Sequence, residues 1–352
     1  MDNFIIYGAY GYTGKLIVAE AVKKGLKPTV AGRNKALVQS LAEQYDLPSA
    51  CFDYDDQRAW DEVLKNHALL LNCAGPFSLT IKEILPACVR NKVHYTDING
   101  QIEVFDYIQS HHKDAVAENI VLMPGIGFDV VPTDCLAKYL HEQLPTATHL
   151  QIAFESSSGL SRGTALSVLN RFHQGSAIRE NGIIKTMPAA SVSKSINFND
   201  KSKNAVGIAW GDIFTAYHTT GIPNIEVFTV MPEKTMNMMR RASKLGWLIK
   251  TNWFQKMAGN MIRRKIDGPS EEKREQLQSY LWGKVTDDKG LTIEAHMTTP
   301  ESYKLTAITA VMCTKKILNG ELKPGYHTPA GAFGSALILE VEGVERSLVK
   351  GV

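Results

Sequence analysis

The sequence predicts an α/β fold, a doubly wound parallel sheet with an inserted second α+β domain, and three observations carry that reading. A glycine-punctuated turn opens the chain between a short apolar run and a segment of helical spacing. Five more apolar runs follow before residue 124, each separated from the last by a helical stretch. Beyond Leu144-Pro145 that regular alternation stops and strand-like patterns dominate.

The first element is the run Phe4-Ile5-Ile6-Tyr7, which breaks into Gly8-Ala9-Tyr10-Gly11-Tyr12-Thr13-Gly14 and continues helically through Lys15-Leu16-Ile17-Val18. Gly8 suits a sharp turn, Gly11 lets a pyrophosphate approach the main chain, and Gly14 lets the helix pack against the strand. The N–H groups of the helix's first turn then face the anion. The spacing G-x-x-G-x-x-G is one residue longer in its first gap than the commonest dinucleotide fingerprint, and a purely structural turn is the alternative. The context favours the nucleotide: the helix ends at Lys23-Lys24-Gly25 and a second strand, Pro28-Thr29-Val30-Ala31, follows at once.

That second strand ends in Gly32-Arg33-Asn34, where an NAD site usually carries an acid for the ribose 2′-hydroxyl. Arg33 can pair with a 2′-phosphate, so the expected cofactor is NADP; a solvated Arg at a strand end is the competing explanation.

The alternation continues with a helix over 35–45, a strand at Ala50-Cys51-Phe52-Asp53, a charged helix through Trp60-Asp61-Glu62-Val63 and the apolar run Ala68-Leu69-Leu70-Leu71-Asn72. Runs so uniformly apolar fit a parallel sheet covered on both faces. After the turn Asn72-Cys73-Ala74-Gly75-Pro76-Phe77 come a helix over 79–91, the strand Val93-His94-Tyr95-Thr96 ending at Asp97, one long helix from Gln101 to about Glu118, and the strand Ile120-Val121-Leu122-Met123. Polar and glycine residues gather after each strand, at the edge where ligands of such sheets sit.

From Leu150 to about Met231 the pattern reads as a mixed sheet with a helix beginning near Arg162-Gly163-Thr164. Residues 234–265 are basic on one face and apolar on the other: Arg240, Arg241, Lys244, Lys250, Lys256, Arg263, Arg264 and Lys265 against Met239, Ala242, Leu245, Leu248, Ile249, Trp253, Met257 and Met261. Such a segment is either an amphipathic helix or helix pair whose apolar side faces a core, or a lid or docking surface for a lipid-like substrate or an anionic membrane. A hairpin through Lys284-Val285 and Thr292-Ile293-Glu294, a helix from Glu301 to about Leu318, and a last segment capped by Thr328-Pro329 complete the chain. The expected domains are 1–145 for the nucleotide, 146–320 for substrate and dimerisation, and 321–352 returning to the first domain.

With 39 basic and 36 acidic residues the net charge of +3 gives no global field for nucleic acid. Five scattered cysteines suit a reducing compartment and none has metal-ligand spacing. No signal peptide or spanning run is seen, so a cytoplasmic protein is expected. A homodimer is the expected assembly, since strand-rich second domains pair across an edge.

Hydride transfer needs orientation, a dry pocket and a group that meets the negative charge developing on the acceptor. Tyr95, Asp97 and Asp129 stand at strand ends as catalytic candidates, although Asp97 also suits a helix cap and Asp129 an anchor for its glycine turn. Arg162, in a Ser- and Gly-rich loop, is the candidate for a substrate carboxylate or phosphate. His94, His111, His112 and His327 lack metal-site spacing, and Cys73 reads as a packing residue.

The turns at 8–14, 31–34, 72–77, 95–100 and 124–129, together with Ser161-Arg162-Gly163-Thr164 and His327-Thr328-Pro329-Ala330, resemble the saccharopine dehydrogenase-like oxidoreductases, a group that includes trans-acting enoyl reductases. The resemblance implies a Rossmann-type NADP domain completed by the C-terminal segment around an inserted α+β domain. It implies that Gly8, Tyr10, Gly11, Tyr12, Thr13 and Gly14 take the pyrophosphate, Arg33 and Asn34 the adenosine phosphate, and Asp53 the adenine side. Ala74, Gly75 and Pro76 would line the nicotinamide ribose, with Gly127, Phe128 and Asp129 near the ring. Members commonly have glycine soon after the Pro-Phe pair and glutamate after Asn-Gly, where this chain has Ser78-Leu79-Thr80-Ile81 and Gln101. The expected activity is NADP-dependent hydride transfer to or from a C=C, C=N or C=O group of an apolar, lipid-related small molecule; the alternative is a non-catalytic NADP sensor or membrane-docking protein.

Overall fold

A computed structural model describes residues 3–349 apart from 157, 199–200, 244–248 and 250. In chain order the elements are β1 (Phe4–Tyr7), α1 (Tyr12–Lys23), β2 (Thr29–Gly32), α2 (Lys35–Tyr45), β3 (Ser49–Cys51), α3 (Gln57–Leu64), β4 (Leu69–Asn72), α4 (Phe77–Asn91), β5 (His94–Asp97), α5 (Ile102–Ser110), α6 (His112–Ala117) and β6 (Val121–Met123). There follow α7 (Val131–Gln143), β7 (Ala147–Ser156), α8 (Arg162–Arg171), β8 (Ser176–Glu180), β9 (Ile183–Met187), β10 (Ser193–Phe198), β11 (Lys201–Gly207), α9 (Asp212–Thr220), β12 (Asn224–Val230) and α10 (Glu233–Ser243). The remainder comprises α11 (Asn252–Lys265), α12 (Glu271–Gln276), β13 (Gln278–Asp287), β14 (Thr292–Pro300), α13 (Ser302–Leu318), β15 (Gly325–Tyr326), α14 (Pro329–Phe333) and β16 (Glu345–Leu348).

The chain forms two compact units. The first holds residues up to Val131 and Tyr303–Ala332. Its seven strands run parallel in the order β15-β6-β5-β4-β1-β2-β3, the Rossmann-type arrangement. Both faces are covered, which is why Phe4-Ile5-Ile6 and Leu69-Leu70-Leu71 are fully buried rather than alternating. On one face Ile5, Leu70, Tyr95 and Leu122 pack with Trp60 of α3 and Ile84 of α4. Truncating a side chain such as Leu70 to alanine there costs about 3 kcal/mol.

The second unit holds Pro132–Ser302 and residues from Phe333 onward. Its mixed sheet runs β10-β11-β12-β7-β13-β14-β16, with β8 attached to β12 and β9 attached to β8. Only β7 and β12 pair in parallel among these strands. Lys194 on β10 reaches across to Gln151 of β7 (2.6 Å) and lies over the Trp282 ring of β13, so the sheet curls around Ala153, Phe198, Phe228 and Trp282. Gly283 in β13 admits α7 closely: a Cβ there would stand 2.6 Å from Leu140 Cδ1.

Three expectations change. The long helix over 101–118 is two helices broken at His111, where the Ser110 hydroxyl donates to Tyr107 O and the His111 ring bonds the same carbonyl. The boundaries expected at 145 and 320 fall at 131 and 302, because α7 packs on β13 while α13 carries the chain back to the first unit. The segment 321–352 is shared: β15 extends the parallel sheet beside β6, but β16 pairs antiparallel with β14, and Arg346 stacks on Tyr139 at 3.7 Å and donates to Ser335 O.

Candidate functional site

The chain runs from β1 outward to β3 and returns to β4 on β1's other side, so β1 and β4 flank the point where the strand order reverses. Tyr7 and Asn72 are register partners there, and Gly8 and Cys73 leave the sheet side by side. Gly8 has φ +80°, and a Cβ on it would stand 2.7 Å from Ala74 N, so the two loops touch at this glycine. Gly8 N–H and Ala9 N–H both donate to Ala31 O, and Gly11 N–H donates to Gly8 O, which closes the turn. A Cβ on Gly14 would stand 2.4 Å from Gly8 O, whereas one on Gly11 meets only Gly8 O, at 3.2 Å. Gly8 and Gly14 therefore close the turn by sterics, while Gly11 leaves its outer side open. Helix α1 begins with no side-chain cap. Its first-turn N–H groups and dipole point out of the turn, as an anion site requires.

At the end of β2 the Tyr10 ring lies over Gly32, where a Cβ would stand 2.5 Å from Tyr10 Cε1. Arg33 is exposed just beyond. Asn34, expected at the adenosine phosphate, spends its side chain as the α2 cap, accepting from Leu37 N–H at 3.1 Å. Asp53 is exposed and accepts from Tyr54 N–H. The Tyr7 hydroxyl donates to Phe52 O beneath this rim; burial first and the Asp53 charge next push its ionisation well above the usual range.

Between β4, β5 and β6 lies a buried polar network. Tyr95 and Asp97 are both 0% exposed, and the Tyr95 hydroxyl donates to Asp97 Oδ2 at 2.9 Å. Asp97 Oδ1 accepts from Asn99 N–H, Asn99 Nδ2 and Gly125 N–H, and Asp97 O accepts from Ile126 N–H. Asn72 donates to the Tyr95 hydroxyl and accepts from Ala74 N–H at 2.9 Å. Burial raises the carboxyl of Asp97 despite these donors, and burial with Asp97 beside it raises Tyr95 far above an ordinary phenol. These two groups tie together the turns that carry Ala74 and Gly125. Gly75 and Pro76 follow directly, Pro76 heading α4 without a side-chain cap.

The β6 turn is built against α13. Phe128 N–H donates to Thr306 Oγ1 (3.0 Å), Thr309 Oγ1 donates to Ile126 O (2.8 Å), and a Cβ on Gly127 would stand 2.9 Å from Thr306 Cγ2. One turn nearer the start of α13, the Tyr303 ring meets Tyr12 of α1 edge-on at 5.0 Å. Asp129 is half-buried and packs on Gly100, where a Cβ would stand 2.7 Å from Asp129 Oδ2. Beside it Gln101 is 5% exposed, and its Oε1 has no hydrogen-bond partner among the described residues. Tyr303, Thr306 and Thr309 were not singled out by the sequence; Gln101 stood out only as a departure from the family pattern.

Arg162 lies in the second unit, where its guanidinium pairs with Asp267 and donates to Ile266 O. That ion pair occupies the charge expected to meet a substrate anion. The histidines do structural work: His94 Nδ1 accepts from Val121 N–H, His112 Nδ1 accepts from Tyr326 N–H, and His327 Nε2 bonds Lys323 O. Burial and the nearby Asp97 push the Cys73 thiol far above its usual range. Among the described residues no group of three or more His, Cys, Asp or Glu side chains is placed to hold a metal ion.

Residues 4–123 match the family described as saccharopine dehydrogenase NADP binding domain. A saccharopine dehydrogenase-like oxidoreductase of Homo sapiens is 24% identical over 40% of this chain and 38% of its own length, so the matched stretch spans well under half of that relative. A probable mitochondrial saccharopine dehydrogenase-like oxidoreductase of Arabidopsis thaliana is 23% identical over 99% of this chain and 97% of its own length. Apo saccharopine dehydrogenase (L-Glu forming) of Saccharomyces cerevisiae shares the fold, with TM-score 0.70, 14% identity and 99% of both chains covered.

Proposed function

We propose that this saccharopine dehydrogenase-like chain is an NADP(H)-dependent oxidoreductase that moves a hydride to or from a C=C, C=N or C=O group of an apolar, lipid-related small molecule. The observation that carries the reading is the strand-order reversal at β1 and β4, where a turn closed by Gly8 and Gly14 delivers an uncapped helix start beside the open side of Gly11. The nucleotide, when bound, supplies the hydride.

The chain's own residues hold and orient. The turn and first helical turn at 8–14 take the pyrophosphate, and exposed Arg33, with no acid beside it in Gly32-Arg33-Asn34, takes a 2′-phosphate. Tyr95 and Asp97 act as positioning residues for the turns at 72–76 and 124–126, since burial and filled hydrogen bonds keep both from moving protons to a ligand. Asp129 alone of the three acid candidates keeps partial exposure. Gln101 Oε1 offers a buried acceptor to an N–H or O–H of a bound molecule.

The test is deuteride transfer from 4-deuterated NADPH to panels of enoyl, imine and carbonyl acceptors, read by mass spectrometry. Deuterium in a product supports the reductase. Nucleotide binding without transfer in any panel favours the second reading, a non-catalytic NADP sensor, to which the burial of Tyr95 and Asp97 also points.

A further inference from the structure

Helix α11 presents an exposed apolar row surrounded by exposed cations. Trp253, Met257 and Met261 recur at steps of four and are 67%, 46% and 53% exposed. Beside them Lys256, Arg263, Arg264 and Lys265 are exposed, and the helix contains no acid. Periodicity alone would turn that apolar row toward a core, but the helix buries its other side, with Ala258 and Gly259 inside and Leu166 of α8 next to Gly259. The ion pair from Arg162 at the start of α8 to Asp267, just past α11, pins the two helices antiparallel. The outward row is therefore set by packing and is not a frayed end. Lys244, Leu245, Leu248 and Lys250 of the same amphipathic segment lie outside the described residues.

We propose that α11 docks the protein on an anionic lipid bilayer, with Trp253, Met257 and Met261 entering the interface and the surrounding cations meeting lipid phosphates. Charge selects this occupant: an exposed helix side with four cations and no acid complements an anionic surface, and two copies paired through α11 would set like charges against each other. Tryptophan suits the boundary between head groups and hydrocarbon. No helix among the described residues is long and apolar enough to cross a membrane, so the contact is peripheral.

The proposal does not depend on nucleotide binding, and its test does not use it. The full chain is sedimented at low salt with vesicles of equal parts phosphatidylglycerol and phosphatidylcholine, and with phosphatidylcholine alone. Binding is expected to the anionic vesicles, weakening steeply with salt. The combination Trp253→Ser, Met257→Ser, Met261→Ser should lower partitioning about thirtyfold, and Arg263→Gln with Arg264→Gln by a similar factor, about 1 kcal/mol for each charge. Circular-dichroism melting establishes that each variant is folded. Absence of anionic-vesicle binding, equal binding by the folded triple variant, or a wild-type dimer that the triple variant converts to monomer would overturn the proposal.

Discussion

The Tyr95 hydroxyl donates to Asp97 Oδ2 over 2.9 Å in a place where neither side chain meets solvent. A buried carboxyl so surrounded by donors would ordinarily be held low, yet burial outweighs them and its folded value lies above the ordinary 3.8. A group whose folded value is raised adds stability below its unfolded value and loses it as pH rises through the folded one. Asp97→Asn abolishes that titration and presents an amide to groups that donate, at a cost of about 2–3 kcal/mol. Urea unfolding at several pH values should therefore show the wild type's advantage over Asp97→Asn shrinking from pH 3.8 upward. An advantage that grows with pH would show that the donors prevail over burial.

Three glycines with one spacing should respond differently. Gly8→Ala meets Ala74 N at 2.7 Å with φ at +80°, and Gly14→Ala meets Gly8 O at 2.4 Å. Each should cost about 3 kcal/mol or more. Gly11→Ala should stay within about 1 kcal/mol of wild type while weakening NADPH binding about tenfold or more, because its methyl fills the side left for the ligand. Thermal melts and nucleotide titrations on the same preparations separate the two roles.

Tyr303 lies on α13, far from the opening turn in sequence, yet its ring meets Tyr12 at 5.0 Å. Tyr303→Ala should loosen the first turn of α1 and lower NADPH affinity about threefold to tenfold, a loss of about 0.5–1.5 kcal/mol for the aromatic pair. Tyr303→Phe keeps the ring edge and should bind as wild type. Equal loss in both variants would assign the effect to the hydroxyl instead.

Much of the first unit was legible because its information is local. The apolar run at β4 and the glycine spacing after β1 each state their structure within a dozen residues. The cradle for the β6 turn was not legible, since the partners of Ile126 and Phe128 are hydroxyls 183 and 178 residues away. Threonines at 306 and 309 read as ordinary helix residues until the turn of Gly127 lies against them. The charge on Arg162 was legible but its partner, 105 residues on, was not. Within the amphipathic stretch expected over 234–265, residues 252–265 form one helix, and periodicity could not say which side faces out, because that depends on where Gly259 finds Leu166. The return of β16 to β14 likewise rests on pairing between distant segments.

Titration of the purified protein with NADPH and NADH, repeated with Arg33→Ala, tests whether the opening turn and Arg33 hold a 2′-phosphorylated nucleotide. The expected result is NADPH binding tighter than NADH by about tenfold to a hundredfold, collapsing to NADH-like affinity in the variant while NADH binding stays unchanged, as one charge-assisted contact to a 2′-phosphate would give. Failure of the wild type to bind either nucleotide would make the turn at Gly8, Gly11 and Gly14 a structural one and rule out an NADP-dependent oxidoreductase.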